Sequence, residues 1–144
     1  MVPTVEVLQE RAFATAAAKG WWENGAPHDS KSIAEKLLLM NTEVSEAFED
    51  IRARRAVSET FYTKKAKMKL LNPITCLEEE REIEFEVPKG TPGAKPCGVP
   101  SELADVVIRI LDFCGAYGID LQGMILEKMA FNDTREYRHG GKAA

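Results

Sequence analysis

Apolar residues recur at steps of three and four in four stretches of the chain, and at steps of two in one interval between them. The first stretch runs through Val5, Leu8, Ala12 and Ala16, with Thr4 placed to cap a helix and Gly20 to stop it. Two tryptophans, Trp21 and Trp22, follow the stop. A second helix is predicted from the box Ser32-x-x-Glu35 through Ile33, Leu37, Met40, Val44, Ala47 and Ile51. Pro100 suits the first turn of a third, whose stripe is Leu103, Val107, Ile110 and Cys114, with Gly115 near its end. Asp120 caps a fourth, which the pattern carries to Gly140 and Gly141.

Residues 56–97 break the helical period. In 65-KAKMKL-70, Lys65, Lys67 and Lys69 alternate with Ala66, Met68 and Leu70. In 82-EIEFEV-87, Glu82, Glu84 and Glu86 alternate with Ile83, Phe85 and Val87. Paired as a hairpin, the two runs give one apolar face and one face of opposed Lys and Glu, so a hairpin insertion is predicted between the second and third helices. The competing reading is a helical extension over 64–71, since those residues are good helix formers. The segment 88-PKGTPGAKPCGVP-100 is a loop on either reading. The expected architecture is therefore one all-α domain over 1–144, a bundle of about four helices, with 56–97 inserted and peripheral to any site on the helices.

Composition narrows the setting. A chain of 144 residues with 44% apolar content is one ordinary domain with enough material for a core. A formal net charge of −4 gives no general attraction to nucleic acid or to an anionic membrane surface, so neither is expected as a partner. Three cysteines, Cys76, Cys97 and Cys114, fit no zinc or redox spacing and suit a reducing, cytoplasmic setting. The acidic and basic residues of 1-MVPTVEVLQERAF-13 interrupt any signal-peptide core, and no run reaches transmembrane length.

Candidate chemistry lies beside the stripes. Glu43, Glu46 and Asp50 share one side of the second helix, and Glu102 and Asp105 one side of the third. Such carboxylates either face water with local ion pairs, as Arg109 would permit, or converge on a cation. For the second case a hard divalent ion such as Mg²⁺ fits, because it takes oxygen ligands and completes its shell with water and substrate phosphates. On the fourth helix Lys128, Asn132 and Arg135 fall on one face, with Arg138 and Lys142 beyond. That face either grips phosphates or complements the negative end of the helix dipole. Trp21 and Trp22 are candidates for stacking on a nucleobase, or simply for the core.

The blocks 19-KGWW-22, 43-EVSE-46, 99-VPSELADVVIRILDFCGAYGIDL-121 and 127-EKMAFNDTREYRHGGK-142 resemble the MazG-like all-α nucleoside triphosphate pyrophosphohydrolase superfamily. The resemblance implies that Glu43, Glu46, Glu102 and Asp105 are Mg²⁺ ligands of E-x-x-E and E-x-x-D type. It implies equally that Lys128, Asn132 and Arg135 contact the triphosphate. The implied activity is Mg²⁺-dependent cleavage of a (d)NTP to (d)NMP and pyrophosphate, with Glu43 or Glu46 as general base and Trp21 and Trp22 near the substrate. A homodimer or homotetramer is expected, since four helices that also line a polar groove leave apolar faces uncovered. Two alternatives stand beside it. A non-catalytic helical nucleotide-binding or interaction module needs no carboxylates at fixed spacing. A di-iron bundle needs two E-x-x-H motifs, and the chain has 136-EYRH-139 once.

Overall fold

A computed structural model describes residues 2–136. The element order is α1 (Val5–Ala18), α2 (Ser30–Arg52), β1 (Phe61–Leu71), β2 (Glu78–Glu86), β3 (Lys95–Cys97), α3 (Val99–Ala116) and α4 (Leu121–Asp133). The all-α expectation is thereby corrected. The interval between α2 and α3 holds a hairpin and also a third strand, making an antiparallel sheet of order β2-β1-β3, so the chain mixes helix and sheet. The third strand escaped the period-two reading because Lys95–Cys97 is only three residues long and sits inside a Pro- and Gly-rich stretch.

The chain forms two compact units. One takes the described residues up to Met40 and those from Val107 onward; the other is Asn41–Val106. In the first, Thr4 Oγ1 accepts from Val7 N at 3.3 Å at the start of α1. At its end Gly20, at φ +84°, lets Trp21 N reach Ala16 O and Gly20 N reach Ala17 O, a Schellman closure. Asp29, not the box at Ser32, opens α2: its Oδ1 accepts from Ser32 N at 2.8 Å, and this bond holds the Asp29 carboxyl below the usual range. Gly115 lies inside α3, where a Cβ would meet Phe13, so it serves close packing against α1, and Gly118 at φ +64° makes the turn that ends the helix. Trp22, Leu111 and Cys114 are buried here, with Phe13 and Tyr117 ringed against Trp22.

α4 ends at Asp133, well before Gly140 and Gly141, which lie outside the described residues. The run Asn132-Asp133-Thr134 is poor in helix formers, and the Thr134 hydroxyl donates to Phe131 O at 2.7 Å, closing the last turn.

In the second unit β1 and β2 pair with Lys65 opposite Glu84, Lys67 opposite Glu82 and Lys69 opposite Glu80. The ion pairs slip one step diagonally, as Lys65–Glu82 at 3.2 Å and Lys67–Glu80 at 3.0 Å, while Glu84 accepts from Thr63 Oγ1 at 2.6 Å. The turn is organised by Asn72, whose Oδ1 accepts from Ile74 N and Thr75 N. At the base, β3 pairs with Phe61, Tyr62 and Thr63, and Gly98, at φ +103°, lies where a Cβ would collide with the Glu59 carbonyl. Only glycine lets the chain pass there and start α3 at once. Ala47, Cys97, Val99 and Thr63 are buried. No described helix is long and apolar enough to cross a membrane.

A candidate metal centre

Glu43 sits in the middle of α2, Glu102 in the first turn of α3, and Asp105 one turn further on. One carboxylate oxygen from each lies within 4.8 Å of the other two. Glu102 is 4% exposed and Glu43 6%, so these are interior carboxylates rather than a solvated acidic face. Interior burial is unusual for glutamate, because the charged form loses its hydration.

Glu102 shows the consequence most plainly. Its Oε2 is buried and has no hydrogen-bond partner. Burial pushes its carboxyl above the ordinary value of 4.5; Lys95 pulls the other way, and Glu46, Asp105 and Glu43 push it further up. Glu102 also lies in the first turn of α3, where the N-terminal end of the helix dipole favours its charged form. An orphaned buried oxygen beside two further carboxylates is a donor set that a hard cation satisfies, and an all-oxygen set suits Mg²⁺, Mn²⁺ or Ca²⁺ over softer metals.

Glu46 stands apart from this trio. It is exposed, one turn along α2 from Glu43, yet its charge still acts on Glu102. Of the four ligands implied by the sequence, the structure thus gathers three and leaves Glu46 outside the group.

The remaining candidates belong to the other unit. Lys128 and Asn132 are on α4 and exposed; Arg135 lies beyond the end of the helix, so the three do not share one helical face as their spacing suggested. Lys128 and Arg135 nevertheless meet at one ring, 5.4 and 5.9 Å from the centroid of Phe131. Trp22 is a packed residue: its Nε1 donates to Asp112 Oδ1 at 2.7 Å, and the Lys36 ammonium lies 4.3 Å from its ring centroid. Burial pushes the Asp112 carboxyl up, against that hydrogen bond and the charges of Lys36 and Arg109. Trp21 is 65% exposed and lines a cleft of about 380 Å³ with Glu23, Asn24, Ser32, Glu35 and Lys36.

Two charged residues went unnoticed in the sequence. Asp112 sits within the apolar run of α3, three residues after Arg109. Lys95 lies in the loop-like stretch before α3, where no periodicity marks it. Comparison of the chain with known families, curated proteins and solved structures finds no match.

Proposed function

We propose that the protein is a divalent-cation-dependent nucleoside triphosphate pyrophosphohydrolase, converting a (d)NTP to the (d)NMP and pyrophosphate. The observation that supports this reading is the convergence of Glu43, Glu102 and Asp105 with an unpartnered oxygen on Glu102. It joins the resemblance of the E-x-x-E and E-x-x-D blocks to MazG-like pyrophosphohydrolases. Glu43, Glu102 and Asp105 are the residues that would hold Mg²⁺; when bound, the ion supplies Lewis acidity toward phosphoryl oxygens and lowers the pKa of water.

The chain's own groups divide the rest of the work. Glu43 and Glu102 are buried and suited to holding the cation. Glu46 is exposed, one turn along α2 from Glu43, which suits it to take a proton from the attacking water and pass it to solvent. The water oxygen bonds to the α-phosphorus, the bond from that phosphorus to the α–β bridging oxygen breaks, and pyrophosphate leaves with that oxygen. The resemblance assigns Lys128, Asn132 and Arg135 to the triphosphate, and Trp21 is an exposed aromatic face of the kind that stacks on a base.

A homodimer or homotetramer belongs to the same proposal. Leu38 on α2 is 62% exposed and Leu126 on α4 61%, and Phe48, Met129 and Phe131 are likewise uncovered. Incubating the protein with a panel of NTPs and dNTPs plus Mg²⁺ tests the activity. Monophosphate and pyrophosphate in equal amounts are expected; diphosphate with orthophosphate contradicts the assignment.

A further inference from the structure

β1 and β2 send alternate side chains to opposite faces of the hairpin, and the two faces differ in what they leave unpaired. On one, Lys65–Glu82 at 3.2 Å, Lys67–Glu80 at 3.0 Å and Lys69–Glu78 at 3.9 Å pair within the chain. That face is satisfied by itself. The other carries Ala66 opposite Ile83 near its centre, Met68 and Leu70 toward the turn, and Phe85 toward the base. Met68 is 45% exposed and Phe85 43%, so this apolar face is uncovered. Its ends differ in charge. Lys64, opposite Phe85, has no ion-pair partner among the described residues. Glu79, opposite Leu70 at the other end, accepts from Arg81 Nη2 at 2.9 Å and from Asn72 Nδ2 at 2.6 Å. These bonds take one site on each carboxylate oxygen and leave room for a third donor.

We propose that this face binds a second copy of the chain, the two hairpins packing face to face about a two-fold axis that crosses the strands. The midpoint of the face lies at Lys67 opposite Glu82. Reversal about it sets Met68 over Ala66 of the second copy and Ala66 over its Met68, a large side chain against a small one in both places. It also brings Lys64 of each copy beside Glu79 of the other, so the interface carries two such contacts. An axis along the strands instead draws the two Lys64 ammonium groups together. Pairing along the free edge of β2 is opposed as well, because Glu78, Glu80, Glu82, Glu84 and Glu86 all lie on that outer strand, and two such edges set acid against acid. The surface is separate from the uncovered residues of α2 and α4, and the inference does not rest on the metal reading.

Sedimentation of the full chain over a dilution series tests the apolar centre and the charged ends separately. Met68→Asp puts a charge at the middle of the face, at a position open enough to leave the circular dichroism unchanged. At micromolar concentration it should sediment with half the wild-type mass. Lys64→Glu and Glu79→Lys each set like charges together across the interface, and each should weaken self-association about tenfold. An equimolar mixture of those two variants places opposite charges at both contacts again. It should return to within about threefold of the wild-type dissociation constant. A single-chain mass for the wild type, or a wild-type mass for Met68→Asp, overturns the proposal. So does a mixture that associates no better than either charge variant alone, which also decides the matter should Met68→Asp fail to fold. Assembly through α2 and α4 alone would leave Met68→Asp at the wild-type mass. Monophosphate and pyrophosphate formation by Met68→Asp reports on the nucleotide reading alone, whichever way the masses fall.

Discussion

Glu102 concentrates the chemistry of the second unit in a single side chain, and its protonation gives a direct handle on it. Its pKa in the folded protein is raised above 4.5 by burial and by its acidic neighbours. As pH falls from neutral toward the ordinary carboxylate range, the folded state therefore takes up protons more readily than the unfolded chain, and metal-free stability should rise. Asp112 is raised as well and contributes with the same sign, whereas Asp29, Glu59 and Glu79 are lowered and lose their contribution only below the ordinary carboxylate range. Melting scans at pH 7 and 5.5 should show a gain for the apo protein, a smaller gain in Glu102→Gln, and a reduced one in saturating Mg²⁺. A wild-type melting temperature that falls across this window would contradict a buried, protonatable Glu102. The same variant should lose at least about 100-fold in activity without losing helical circular dichroism. The pairs Glu43/Glu46 and Glu102/Asp105 were legible in the sequence because i, i+3 neighbours share a helix side. Which of them turn inward was not. Of the apolar stripe on α2, Ala47 is buried beside Glu43 and Ile33 and Met40 are half-buried, while Leu37, Val44 and Ile51 stay exposed, so hydropathy marked only part of the inward side.

Elements announced themselves where local chemistry decides them. Thr4 and Asp120 cap α1 and α4 as the sequence indicated, and the Lys and Glu alternation marks the paired strands, since exposed side chains on a sheet repeat every two residues. Boundaries set by competition were harder to read. Asp29 precedes the box at Ser32 as the α2 cap and Thr134 ends α4 early, while Gly115, near the end of α3 as the sequence indicated, is also a packing contact with Phe13. β3 needed its partner β1 to be a strand at all. The insertion was expected to be peripheral, and the structure divides it: the distal hairpin is exposed ion pairs worth little each, whereas the base holds Thr63, Cys97 and the approach to α3. Replacing Lys67–Glu82 by Asn-Gly keeps the Ala66 and Ile83 pairing and closes the hairpin with a favoured two-residue turn. Mn²⁺ affinity and turnover should stay within about threefold of wild type, since shortening a loop changes closure entropy only slightly. A loss beyond tenfold would show that the distal hairpin takes part in the site.

At the scale of the whole molecule, the exposed apolar residues of α2 and α4 are more than a solitary chain ordinarily leaves uncovered, and self-association is the expected remedy. Multi-angle light scattering at micromolar concentration should return two or four times the chain mass of 16.0 kDa. A single-chain mass at that concentration would count against the oligomer. Neither this nor the mixed helix and sheet architecture followed from composition, which bounds how much apolar surface exists but not which elements cover it. In the proposed reaction, carboxylates on α2 and α3 direct water to the α-phosphorus of a nucleoside triphosphate. Its most direct measurement is hydrolysis in ¹⁸O-labelled water with Mg²⁺, followed by mass spectrometry of both products. Attack at the α-phosphorus places one labelled oxygen in the nucleoside monophosphate and none in the pyrophosphate. Label in pyrophosphate or orthophosphate, or an unlabelled monophosphate, would contradict the account.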